Sequence, residues 1–139
     1  MTQNPTTPKR ETSVIIDPVA MNIVNKIALG TKSAGTIACS GGLLLQGEHR
    51  GELTVKDGPL VIYEGAVLFG SVEVHDDIYV FGQVGEPGDK LTELTSFGTV
   101  HLTSKAVVHG ALRCVKLATY NGSQIHGSLE TIQPPKDKA

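Results

Sequence analysis

The chain has 139 residues, a net charge of −2 and 40% apolar content, yet only 4% aromatic residues and no tryptophan. That length holds one domain with a tail at each end, and the lack of a basic cluster excludes nucleic acid as a main partner. Sixteen glycines among many Val, Leu and Ile suit thin β-structure with tight corners rather than a bulky globular core.

In chain order, residues 1–12 are rich in Thr, Pro, Asn and charge, and predict a disordered arm. Residues 13–29 are apolar without a clean period, and Pro18 divides them. They suit a cap over the first repeat or, alternatively, a peripheral membrane-contact segment, although the basic face usual for such segments is missing. No stretch is long enough to span a bilayer and no secretory signal is evident, so the cytoplasm is the expected compartment. At the other end, Pro134 and Pro135 stop the last strand, and 133–139 form a second disordered tail.

Residues 30–132 are repetitive. One apolar column runs Ile37, Leu53, Val72, Leu94, Leu112, Leu129; a second runs Leu43, Leu60, Ile78, Val100, Leu117; a third runs Val67, Val84, Val108, Ile125. The steps are 16 to 19 residues, except where all three columns cross Gly85 to Glu93 and lengthen together, as one loop insertion there explains. About 17–18 residues per repeat with three short alternating strands predicts an all-β fold, a triangular parallel β-helix of about six rungs. At the spacing of paired strands, six rungs make a rod on the order of 25–30 Å long. Cys39 and Cys114 fall on inward positions, 75 residues apart, and suit buried free thiols.

The outward positions beyond the second column, Leu44, Val61, Tyr79, His101 and Ala118, form an apolar stripe with Phe81 nearby. Contiguous exposed apolar area implies either a covering segment, which 13–29 can supply, or lateral contact with another molecule. Chemistry is harder to find. His109 and His126 stack one rung apart but lack a third metal ligand; His49, His75 and His101 fall elsewhere and suit the surface. Gly-x-Gly-x-x-Gly and Walker A patterns and a nucleophile elbow are absent, so neither an enzyme, a cofactor nor a nucleotide is expected.

A β-helix exposes unpaired backbone and apolar cross-section at each end unless a cap hides them. Ile125, Leu129 and Ile132 run into the Pro-rich tail without an evident cap, and Ile27, Leu29 and Ile37 offer little polar cover. Such ends are satisfied by stacking on another rod, which repeats into filaments. These six residues are the expected polymerisation interface.

The apolar–glycine grammar of TKSAGTIACSGGLLLQGEHRGEL, AVLFGSVEV, IYVFGQVG, VHLTSKAVVHGALRC and IHGSLETI, over Gly30 to Ile132, resembles the bactofilins, bacterial polymer-forming cytoskeletal proteins. The resemblance implies a right-handed β-helix with short tails and nucleotide-free, apolar filaments. It further implies a scaffold for cell shape, often at the inner membrane with cell-wall enzymes as partners. It places membrane contact, by position, on Val14, Ile15 and Ile16. The apolar 13–29 segment and the 85–93 insertion depart from that pattern. The main rival is a hexapeptide-repeat acyltransferase, which shows strict six-residue steps and a long acceptor loop; the steps here vary from four to seven. A β-helical adhesin would bring an export signal and aromatic or Asp-rich sugar platforms, which are missing.

Overall fold

Strands form where apolar and polar residues alternate, and Gly or turn residues end them. The computed structural model describes residues 16, 19–86 and 92–133. Residues 1–15, the centre of the 85–93 insertion and 134–139 lie outside the described residues. The described residues contain eleven strands and no helix: β1 (Ile23–Ile27), β2 (Lys32–Ser40), β3 (Gly42–Leu45), β4 (Glu48–Lys56), β5 (Leu60–Ile62), β6 (Val67–Val74), β7 (Ile78–Val80), β8 (Gln83–Val84), β9 (Glu93–Leu102), β10 (Val107–Thr119) and β11 (Gln124–Thr131). Every pairing is parallel, and the sheet coils into a β-solenoid of about six turns.

One side of the solenoid stacks β1, β3, β5 and β7 onto β9 and β10, and the other sides stack β2, β4, β6, β8, β9, β10 and β11. The first predicted column is in register throughout, Ile37 on Leu53, Val72, Leu94, Leu112 and Leu129. So is the second, Leu43 on Leu60, Ile78, Val100 and Leu117. The third is corrected by one residue: Leu68, not Val67, aligns with Val84, Val108 and Ile125. The corner turn sets this phase. The Ala66 N–H donates to the Tyr63 carbonyl at 2.9 Å and Ala66 is buried, so the strand leaves the corner with Leu68 inward and Val67 half-buried. A one-residue slip exchanges the faces of a strand.

The interior residues of the middle rungs, among them Leu53, Leu60, Val72, Ile78, Leu94 and Leu112, are at most 1% exposed. Burying each such side chain contributes on the order of 1.5–3 kcal/mol. Stacking at this spacing leaves no room for a Cβ at the corner between the third column and the first. At Gly70 it would lie 2.0 Å from the Gly51 carbonyl oxygen, and φ there is +114°. At Gly51 and Gly127 an added Cβ would likewise meet the glycine carbonyl oxygen of the rung before, whereas Thr92 holds this place ahead of β9.

Candidate functional site

Three strands, β1, β2 and β11, have only one partner each and bound the two ends of the rod. At the N-terminal end, Ile27 and Ile37 are half-buried on β1 and β2, and Leu29 is 80% exposed on the turn between them. This end carries more polar cover than the sequence suggested. Asn25 occupies the inward place above Leu43, and its Nδ2 donates to the carbonyls of Ser40, Gly41 and Gly42 at 3.3–3.5 Å. Ser33 sits above His49 in the third column.

His49 is the residue that sequence reasoning misplaced. It is 0% exposed, in register between Ser33 and Leu68 inside the solenoid. Its Nδ1 is 2.8 Å from the Ser33 Oγ and its Nε2 is 3.3 Å from the Glu52 carbonyl oxygen. Both ring nitrogens are therefore satisfied without water, as burial of an imidazole requires. The one-residue correction of the third column is the signal that finds it, since His49 lies 19 positions before Leu68.

The C-terminal end is different in character. Leu117, Ile125 and Ile132 are half-buried and Leu129 is 47% exposed, so the inward row of the last rung is aliphatic and incompletely covered. The Ile132 N–H donates to the Cys114 carbonyl at 2.8 Å and extends the ladder to that residue. Burial pushes the thiols of both Cys39 and Cys114 above their ordinary pKa, which keeps them protonated.

On the flank, Leu44, Val61, Tyr79 and His101 are in register on β3, β5, β7 and β9. Val61 points outward by parity but is 0% exposed. The preceding chain runs beside this face: Ala20 and Met21 share a hollow with Pro59 and Tyr79, and Ile16 shares another with Tyr63 and Phe81. The Tyr79 and His101 rings stack 4.4 Å apart, nearly parallel, with Asp77 Oδ2 3.5 Å from His101 Nε2. Burial first, then the Asp77 and Asp76 carboxylates, raise the Tyr79 phenol above its ordinary value. Phe81 meets Tyr63 at a 6.1 Å ring separation. Val14 and Ile15 lie outside the described residues.

His109 and His126 stack 4.9 Å apart on β10 and β11, as their 17-residue spacing implies, and His126 also contacts Gln124 at 2.9 Å. Among the described residues, no group of three His, Cys, Asp or Glu side chains converges to hold a metal. No helix of the described residues is long and apolar enough to cross a membrane.

A parallel solenoid filled by stacked aliphatic residues, with half-covered rungs at both ends, defines a repeat-built structural rod. A model of the Bactofilin family, described as polymer-forming cytoskeletal, matches residues 25–130. The chain is a member of the bactofilin family, and its class is cytoskeletal. No curated protein and no solved structure matches it.

Proposed function

We propose that the chain is a filament subunit that joins end to end with copies of itself, without nucleotide, through Ile27, Leu29 and Ile37 at one end and Ile125, Leu129 and Ile132 at the other. The observation that carries this reading is the aliphatic row of the last rung, left half-covered directly beside an interior that is fully buried. An open strand edge over an apolar cross-section is a template for another sheet. The family's polymer-forming character supports the same direction. In the cell the filament serves as a cytoplasmic scaffold for cell shape, set against the inner membrane through Val14, Ile15 and Ile16, with cell-wall enzymes as partners. The stripe of Leu44, Val61, Tyr79, Phe81 and His101 serves as the face that the 13–29 segment covers.

Electron microscopy of the purified protein tests the reading. Filaments are expected in buffer without nucleotide, and Leu129→Arg is expected to abolish them. Because Leu129 is about half exposed in one copy, the arginine can reach water in the monomer, and the melting temperature should fall by no more than about 3 °C. Unchanged filaments in a folded Leu129→Arg variant would refute the end-to-end assignment.

A further inference from the structure

Four corner turns of the rod share one plan, and the last of them carries a reactive pair. Ala28–Thr31, Tyr63–Ala66, Thr103–Ala106 and Tyr120–Ser123 each close with the fourth N–H donating to the first carbonyl, at 3.0, 2.9, 3.0 and 3.1 Å. The third residue is Gly30, Gly65, Lys105 or Gly122, and the glycines have φ of +87°, +91° and +100°. A closed turn with that backbone is type II. The second residue is Leu29, Glu64, Ser104 or Asn121, so the turn needs no amide there and the fold does not account for Asn121. Of the asparagines, Asn121 alone precedes a glycine. Both residues are exposed, and among the described residues no hydrogen bond ties down the Asn121 side chain or the Gly122 N–H. Asp57–Gly58 is the contrasting pair. There Gly58 is buried, an added Cβ on it would lie 2.3 Å from Gly42 N, and the Asp57 carbonyl accepts from Asn22 Nδ2 at 2.7 Å.

We propose that Asn121–Gly122 is a self-modification site that runs while the last rung is free and stops when a second copy covers it. The Gly122 amide nitrogen attacks Asn121 Cγ. The N–Cγ bond forms, the Cγ–Nδ2 bond breaks, ammonia leaves with the amide proton, and a succinimide ring remains. Solvent water then opens the ring. Opening at Cγ leaves aspartate; opening at the main-chain carbonyl carbon leaves isoaspartate, whose backbone is one methylene longer. Glycine suits this attack because no Cβ shields its nitrogen. The closed turn opposes it, since ψ near +120° at the second residue of a type II turn directs that nitrogen away from the side chain before it. Ring closure therefore waits for the turn to open, and its rate follows the open population. Opening is easiest at this end of the rod: β11 has β10 as its one partner, and terminal elements fray at little free-energy cost.

The gate rests on the end-to-end reading above, because only a copy stacked on the last rung gives β11 a second partner and holds the turn shut. The site itself does not depend on that reading. It is tested on the full chain, kept too dilute for filaments, in mildly alkaline buffer, with peptide mapping by mass spectrometry and electron-transfer fragmentation to count isoaspartate. Deamidation at Asn121 at least about 10-fold faster than at Asn22 and Asn25 is expected, as it alone has an unshielded neighbouring nucleophile. Equal rates at the three overturn the site, as does an Asn121 that stays intact in native buffer while the urea-unfolded chain deamidates. The gate is read by the same mapping on sedimented filaments, where a rate at Asn121 at least about 5-fold below that of the free chain is expected. An equal rate overturns the gate and leaves the site standing. If fresh protein forms no filaments, the end-to-end reading fails and the gate with it, while the dilute measurement decides the site. Finally, Asn121→Ser repeats the residue that Ser104 places in the matching turn, so its melting curve should be unchanged. On ageing while dilute, the wild-type chain is expected to lose its capacity to assemble and this variant to keep it; equal loss overturns the link between modification and assembly.

Discussion

Substituting Gly70 by alanine separates the cost of backbone strain from the cost of keeping neighbouring rungs apart. Gly70 has φ +114°, and its added Cβ would lie 2.0 Å from the Gly51 carbonyl oxygen and 2.8–2.9 Å from the Gly51 C and N. All three atoms belong to backbone, so no side-chain rotation relieves the contact. Gly65, five residues earlier, has φ +91° and nothing within 4 Å of an added Cβ. Gly65→Ala therefore carries strain alone, about 1–2 kcal/mol. Gly70→Ala carries the same strain and also forces β4 away from β6, which weakens at least two ladder hydrogen bonds at about 1 kcal/mol each and loosens the packing of Leu53 on Val72. A total of about 4 kcal/mol is expected. For a domain of this size, 1 kcal/mol moves the melting temperature by roughly 4 °C. Thermal melts followed by circular dichroism should then show losses of about 4–8 °C for Gly65→Ala and about 16 °C for Gly70→Ala. Losses that agree within about 2 °C would refute the argument that rung contact, rather than φ, fixes glycine at this corner.

His49→Leu should change stability by less than about 1 kcal/mol, because an aliphatic residue suits the column and Ser33 keeps the Glu48 carbonyl at 3.3 Å. His49→Ala should cost about 2–4 kcal/mol through the cavity it leaves; urea denaturation of both variants checks the pair. Leu94→Ala should cost about 2–5 kcal/mol by the same route, and Leu129→Ala, at the half-covered end, under about 1.5 kcal/mol, again read by denaturation. Alkaline pH should destabilise the fold. The pKa values of Cys39, Cys114 and Tyr79 are raised, so below the ordinary values of 9.0 and 10.0 both folded and unfolded chains hold these protons and nothing is lost. As pH rises past them, the unfolded chain releases protons that the folded chain retains, and stability falls. Melting temperatures between pH 8 and pH 11 check this, and Tyr79→Phe should flatten the upper part of the slope.

The columns were legible because stacked rungs force one residue type to recur at one spacing, and two of the three predicted columns hold at every strand. Val67 failed for a physical reason. Val67 and Leu68 are both aliphatic, so their order of burial depends on where the corner turn releases the strand, which composition does not encode. His49 followed from that slip: once Leu68 is the inward residue, the position one rung earlier is inward too. Asn25 was within reach, since the second column extended back 18 residues from Leu43 arrives at it. Its role was hidden because an amide in an apolar column becomes sensible only when the three carbonyls it bonds are placed around it. Val61 shows the limit in the opposite sense. Its outward parity is plain from sequence, but its complete burial depends on what lies beside it in space.

The uniform spacing of the rungs makes the molecule a ruler. Each rung adds about 4.8 Å along the axis, and no rung in the middle takes part in the ends. A duplication or deletion of one whole repeat would therefore lengthen or shorten the subunit while leaving its terminal surfaces unchanged. In a filament built from end contacts, the axial repeat counts rungs: about 30 Å for six, one step of about 4.8 Å more or less for each repeat gained or lost.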